Sequence, residues 1–312
     1  MPVVYDKRSE VRKDYFLNRY VIISPARAKR PKDVVETSHR QPGQKCVLCP
    51  EQVEKDLVVD SIGGKKNWRV LAILNKYPAV TLDNPKAYGH QEVIIDTRIH
   101  GHEMGRMTQK EIMDVLKMYV ERTRKVGRIK GIDYILIFKN NGGPAGASLL
   151  HEHSQLFATK KIPPEVFYEL DKAQEHKIKH GTCVYEEIIK QEEKSPRFVW
   201  KDNNIIVFCP YASMYHYEVW IFPFRHLDNI TRLNKSELSS LAKALKLVTS
   251  KLSQYQIPYN FFMHQSVSHQ DQHFYIKVQP RESIWAGVEL GSGIVINSIP
   301  PEKAAKFYQK NE

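Results

Sequence analysis

Two histidines and a glutamine at alternate positions, His151, His153 and Gln155, follow the loop running from Asn140 through Gly142, Gly143 and Gly146 to Ser148. In an extended strand residues two apart share a face, so these side chains line up beside backbone N–H groups that the glycines leave uncovered. Such donors can hold a nonbridging phosphoryl oxygen as charge shifts onto it. An unprotonated imidazole placed there is a nucleophile toward phosphorus and would give a covalent phosphohistidine. A His-x-His on its own is more often the polar side of a half-buried strand; the glycine-rich approach turns the reading toward a phosphate site.

Upstream, Cys46 and Cys49 stand two residues apart. Two thiolates at this spacing form half of a tetrahedral zinc site, and histidines are the usual completion. The candidates are His100 or His102 and one member of the His151/His153 pair; if His151 goes to metal, His153 stays free for chemistry. The rivals are two small buried hydrophobes or a redox dithiol, which would open a helix after a strand.

Taken together, the string from Arg19 to Pro31, Cys46-x-x-Cys49, His100, Asn140, Gly146-x-Ser148 and His151-x-His153-x-Gln155 resembles the galactose-1-phosphate uridylyltransferase family of the histidine-triad superfamily, over nearly the whole chain. The resemblance implies a structural zinc on Cys46, Cys49, His100 and His151, and His153 as the group that attacks the α-phosphorus of a nucleotide sugar. It also implies that Gln155, Ser148, Gly146, Asn140, Arg27 and Arg30 contact phosphates or sugar, and that Asn75 meets the ribose. A homodimer is implied too, with nucleotide sugar and sugar 1-phosphate as partners.

Gln155 bears on the type of reaction. The superfamily's hydrolases carry a third histidine there, able to pass protons to a leaving group or water, whereas an amide donates a hydrogen bond but does not titrate. A nucleotidyl group on His153 would therefore wait for a phosphate-bearing acceptor. That acceptor is a hexose 1-phosphate in the first reading and inorganic phosphate, as in ADP-glucose phosphorylase, in the second; a nucleotide-binding regulator without turnover is a third. The chain departs from the family in having Glu152 instead of proline between the histidines, and no glutamine for the hexose within residues 285–297.

The elements that must position these groups are written twice. His90, Glu92, Val93 and His100 are echoed at one constant interval by His216, Glu218, Val219 and His226. Thr108-x-x-Glu111 and Asn234-x-x-Glu237 both read as capping boxes opening helices. Behind them Ile112, Val115, Leu116 and Tyr119 match Leu238, Leu241, Ala242 and Leu245 at helical spacing, core-facing stripes in both copies. With the apolar runs 134–138 and 259–263 after the helices, the chain reads as α+β: two tandem histidine-triad-like units with helices packed on antiparallel sheet, divided as 1–172, catalytic and zinc-binding, and 173–312, degenerate.

The second copy lacks the paired cysteines and the glycine loop. Of its histidines, His264, His269 and His273 with Asp271 keep only part of a metal pattern; His216 and His226 read as structural or interfacial, and Cys183 and Cys209 as reduced thiols. The chain's 312 residues can bury a substantial core, and 42% apolar with 26% charged residues are values of a soluble globular protein. No apolar run is long enough to span a bilayer, and residues 1–8 lack the apolar core of a secretory signal, which predicts a cytoplasmic protein without a membrane partner. The net charge of +12 is spread in short groups such as Lys160-Lys161, which predicts steering of anionic small molecules, not nucleic-acid binding.

Overall fold

The computed structural model describes residues 9–29, 46–266 and 272–310. Its strands and helices in chain order are β1 (Glu10–Lys13), β2 (Tyr20–Ile23), β3 (Val58–Ile62), β4 (Val70–Leu74), β5 (Gly89–Ile95), α1 (Gln109–Val126), β6 (Tyr134–Asn141), β7 (His153–Thr159), α2 (Pro164–His180), α3 (Val184–Glu193), β8 (Phe198–Lys201), β9 (Ile205–Phe208), β10 (Val219–Pro223), α4 (Lys235–Gln254), β11 (Tyr259–His264), β12 (Tyr275–Pro280), α5 (Gly287–Ser292), β13 (Val295–Asn297) and α6 (Pro301–Gln309). No helix among the described residues is long and apolar enough to cross a membrane.

Both capping boxes form as the sequence dictates. Thr108 accepts from the Glu111 N–H while Glu111 accepts from the Thr108 N–H at 2.7 Å, and Asn234 and Glu237 repeat the exchange at 2.9 and 2.8 Å. Each box satisfies two N–H groups that a helix start leaves orphaned, so α1 and α4 begin where their caps stand. Their apolar stripes, including Val115, Leu116 and Tyr119 from α1 and Leu241, Ala242 and Leu245 from α4, are fully buried in one core. At roughly 1.5–3 kcal/mol for each large aliphatic side chain taken out of water, this shared face is what holds the helices down.

The sheet under them explains why the repeat matters. A 10-stranded sheet runs in the order β3-β4-β5-β7-β6-β11-β12-β10-β9-β8, which reads as one five-strand unit followed by its repeat in reverse order. The two units meet where β6 pairs antiparallel with β11, Asn140 opposite Asn260 and Phe138 opposite Phe262. Strand alternation sends Ile135, Ile137, Leu156, Ala158, Phe261, Met263, Ile276 and Val278 to the helix side. It leaves His153, Gln155, Phe138 and Asn140 on the opposite side.

That opposite side is treated differently in the two units. Over the second, Phe16, Leu17, Tyr185, Ile188 and Ile189 cover Phe208, Trp220, Phe222 and Tyr275 in a separate aromatic core. Over the first, Gln91, Phe138, Asn140 and Gln155 stay half-buried. Among the described residues, only the first unit keeps an open polar face.

A smaller 3-stranded sheet, β1-β2-β13, is closed by parallel pairing of β13 with β2 and carries the turn in which Arg27 lies.

Candidate active site

Cys46 and Cys49 sit in a turn, the Cys49 N–H donating to the Cys46 carbonyl at 3.0 Å, and no helix follows them. The dithiol-at-a-helix alternative is thereby set aside. Cys49 Sγ lies 3.7 Å from His100 Nδ1 and 3.6 Å from His151 Nδ1, and the four ligand atoms of Cys46, Cys49, His100 and His151 are all within 4.8 Å of one another. A tetrahedron built with ordinary zinc–sulfur and zinc–nitrogen bonds has S···N edges of about 3.6 Å, so the donor set and its spacing fit zinc. His151 Nε2 faces the Thr97 carbonyl at 2.8 Å, which fixes the ring and leaves Nδ1 for the ion. His102 is not in the group and faces Glu111 at 3.4 Å.

β7 begins at His153, so the strand alternation read from the sequence covers His153 and Gln155, while His151 lies in the bend before it. The His153 Nδ1–H donates to the His151 carbonyl at 2.7 Å. That bond sets the tautomer, leaving the lone pair on Nε2, which has no hydrogen-bond partner among the described residues. Burial holds the imidazole below the ordinary histidine range, with the nearby Lys139 charge acting in the same direction, so the ring is neutral at pH 7.

The glycine loop departs from expectation in one respect. Gly142 and Gly146 have φ of +85° and +84°, and a Cβ on Gly142 would meet Pro258 at 2.8 Å, so this tight turn needs glycine. Yet the N–H groups of Ala145, Gly146 and Ala147 are not left uncovered: they donate back to the Gly142 and Gly143 carbonyls at 2.8–3.2 Å. The free donors lie one step further on, where the N–H groups of Ser148, Leu149 and Leu150 have no partner among the described residues. The exposed Ser148 side chain belongs to the same stretch.

Two supports had no motif to announce them. The Asn260 amide donates to the Asn140 Oδ1 at 2.8 Å and to the Ala145 carbonyl at 2.7 Å, so a residue of the second unit holds the first unit's loop. The Gln91 amide donates to the Gln155 Oε1 at 3.3 Å and its backbone carbonyl accepts from the Asn75 N–H at 3.0 Å, linking Asn75 to Gln155. A strand position facing another across β6/β11 could have been found only by knowing the register.

The remaining candidates are more scattered. Asn75 directly follows β4, its side-chain oxygen accepting from the Tyr77 N–H at 2.9 Å. Tyr77 beside it is 84% exposed and outside the core. Arg27 is exposed and has no hydrogen bond or ion pair to the His153 group among the described residues; Glu289 of α5 is the carboxylate that feels its charge. Arg30, His269 and Asp271 lie outside the described residues.

In the second unit His216 is structural, held between Glu282 at 3.2 Å and Ser298 at 2.9 Å. Cys183 and His226 are not independent: Cys183 Sγ lies 3.4 Å from His226 Nδ1, and with Glu186 they form a second group that could hold a metal ion. The His273 ring is 4.8 Å from that of His226. Cys183-x-x-Glu186 repeats the spacing of Cys46-x-x-Cys49 with a carboxylate for the second cysteine, His226 answers to His100 at the interval of the repeat, and His273 precedes β12 by two residues as His151 precedes β7. The repeat interval pairs His226 with His100, but nothing in the sequence brings Cys183 and Glu186 to it.

Residues 2–163 match the family described as galactose-1-phosphate uridyl transferase, N-terminal domain, and residues 96–308 match one described only as a domain of unknown function. The chain is 31% identical to the ADP-glucose phosphorylase of Arabidopsis thaliana over 98% of its own length and 94% of that protein. It is 27% identical to the galactose-1-phosphate uridylyltransferase of Thermotoga maritima over 97% and 98%. Its fold superposes on the crystal structure of the Arabidopsis ADP-glucose phosphorylase with bound ADP-glucose with a TM-score of 0.87, covering 98% and 99% of the two chains at 27% identity. A solved uridylyltransferase gives 0.76 at 28% identity over 96% and 97%.

Proposed function

From the premise that this chain belongs to the galactose-1-phosphate uridyl transferase family, we propose that it moves a nucleotidyl group from a nucleotide sugar to a phosphate-bearing acceptor through His153. The observation that carries this reading is the pinned imidazole: Nδ1 is tied to the His151 carbonyl at 2.7 Å while Nε2 is left without a partner on the open face of the sheet.

Nε2 of His153 attacks the α-phosphorus of the nucleoside diphosphate sugar. The bond from that phosphorus to the β-phosphate oxygen breaks, and sugar 1-phosphate departs with the electron pair. An oxygen of the second phosphate then attacks the same phosphorus and the P–N bond breaks, returning the imidazole. The N–H groups of Ser148, Leu149 and Leu150, the Ser148 hydroxyl and the Gln155 amide supply donors for the phosphoryl oxygens, with Asn140 and Gly146 shaping the loop beside them. Gln155 has no proton to exchange with water at neutral pH, which favours transfer over hydrolysis.

Zinc on Cys46, Cys49, His100 and His151 would brace the segment that carries His153, and its four protein ligands leave no place for a reacting water. Asn75, directly after β4, is the residue for the ribose in this reading. Arg27 serves the phosphates only if the turn after β2 is brought to the site.

The acceptor we infer is inorganic phosphate, with an ADP-sugar as donor. Support comes from the likeness to an ADP-glucose phosphorylase over 98% of the chain and from Glu152 standing where uridylyltransferases have proline. Hexose 1-phosphate with a UDP-sugar is the second reading, supported by the match to the uridyl transferase family model. Incubation with ADP- and UDP-sugars followed by intact-protein mass measurement decides between them. An adenylyl adduct discharged by phosphate supports the first and a uridylyl adduct discharged by galactose 1-phosphate the second; no adduct with any nucleotide sugar sinks both.

A further inference from the structure

Directly behind His153, on the helix side of the sheet, lies a cluster of charges that the proposed reaction does not use. Lys139 belongs to the apolar row of Ile135 and Ile137 in β6 and is 1% exposed. Its ammonium donates to Asp96 at 2.5 Å, to Glu152 at 2.8 Å and to the His153 backbone carbonyl at 3.0 Å. Glu152 also accepts from the Met104 N–H at 2.9 Å and from the Asn141 amide at 3.4 Å, and Asp96 accepts from the Ser154 hydroxyl at 2.9 Å. The three consecutive carbonyls of residues 151–153 are thus each claimed, by the His153 ring, the Asp96 N–H and Lys139.

Stability is a weak explanation for such a cluster. A buried ion triad replaced by apolar groups of similar size often leaves a fold as stable or more so, because desolvating the charges offsets their attraction. What it does supply is direction, since each hydrogen bond fixes one atom of the peptide that carries the nucleophile. In-line attack tolerates little error, and a misplacement of about 1 Å can cost on the order of 100-fold in rate. The cluster also sets carboxylate charge behind an imidazole that becomes cationic when Nε2 bonds to phosphorus with Nδ1 still protonated.

We propose that Lys139, Glu152 and Asp96 are positioning residues for the nucleotidyl-histidine step: they aim His153 through its main chain and balance the charge its ring acquires. This inference rests on the reading of His153 as the nucleophile. It extends to residues that touch no substrate.

The test is the single-turnover rate at which protein becomes labelled by the ADP-sugar or UDP-sugar that charges the wild type, read by intact mass, with zinc content and melting temperature measured alongside. Lys139→Met alone would strand two buried carboxylates and endanger folding, so the informative variants are Glu152→Gln and the neutralised Lys139→Met/Glu152→Gln/Asp96→Asn. Both should keep zinc and a KM for the nucleotide sugar within about threefold of wild type. The labelling rate constant should fall roughly 10-fold in the first and on the order of 100-fold in the second.

Because a rate constant does not depend on the fraction of folded protein, a merely structural role would lower yield and melting temperature and leave it unmoved. A neutralised variant that labels at the wild-type rate, or whose loss is all in KM, overturns the inference while leaving the proposed function standing. A wild type that takes up no nucleotide overturns the function and the inference with it.

Discussion

At the scale of single residues, the proposed division of labour between the two histidines rests on which ring nitrogen is already engaged. His151 points Nδ1 at Cys49 and Nε2 at a carbonyl, so both nitrogens are committed, whereas His153 commits only Nδ1. Replacing His153 by alanine should therefore abolish covalent labelling by nucleotide sugars and leave zinc content and the melting temperature within a few degrees of wild type. A labelled His153→Ala protein would move the nucleophile elsewhere.

Cys49 is the opposite case. It is the thiol that meets both histidines of the candidate metal site. Cys49→Ser should lower zinc and melting temperature together, and a chelator should do to the wild type what the substitution does to the variant, because metal binding free energy is folding free energy at such a site. Full stability in the zinc-free protein would remove the bracing role.

At the scale of elements, the pairing of β6 with β11 is the contact on which the site depends. Through it Asn260, in the unit without the glycine loop, donates to both Asn140 and the Ala145 carbonyl. Asn260→Ala removes two hydrogen bonds at a half-buried position, worth about 1 kcal/mol each. The expected result is a labelling rate lowered roughly 10-fold, with only a small change in melting temperature, since the sheet pairing itself is backbone. An Asn260→Ala protein with wild-type single-turnover kinetics would show that the loop holds itself. The helices, by contrast, are stabilised by burial. Leu241→Ala, in the middle of α4 and fully buried, should cost about 2–5 kcal/mol in denaturant unfolding without altering the rate constant of the folded fraction.

At the scale of the whole molecule, buried carboxylates tied to arginines set the acid limit of the fold. Glu92 is buried, which alone would raise its pKa, but hydrogen bonds from His90 and Arg122 more than reverse this and hold it below the usual range. Glu237 is held low chiefly by its hydrogen bonds to Arg225. A depressed folded-state pKa means that the unfolded chain takes up these protons first. The stabilisation is thus complete above the ordinary glutamate value of about 4.3 and is lost as pH falls through the lower folded values. Melting temperatures should be flat down to about pH 5 and drop steeply below about pH 4; a flat profile to pH 3 would contradict the assignment of these pairs.

The amino-acid sequence by itself determined what depends on neighbours along the chain. The two capping boxes, the helical stripes behind them, the Cys46-x-x-Cys49 turn and the glycine turn before His153 are all local consequences of side-chain type and spacing, and so was the doubling of one α+β unit. What the tertiary structure alone decided is everything that crosses between strands far apart in sequence. It brought His100 and His151 to Cys49 and chose His100 over His102; it brought Cys183, Glu186 and His226 together, and placed Lys139 beneath His153 and Asn260 beneath the loop. It also moved the free backbone donors from Gly146 to Ser148, Leu149 and Leu150, because the turn consumes its own amides. The physical reason is register: a strand's alternation tells which face a residue takes, but only the pairing of β6 with β7 and β11 fixes which residue stands opposite, and a slip of one position in β6 or β11 would send Lys139 or Asn260 to the other side of the sheet.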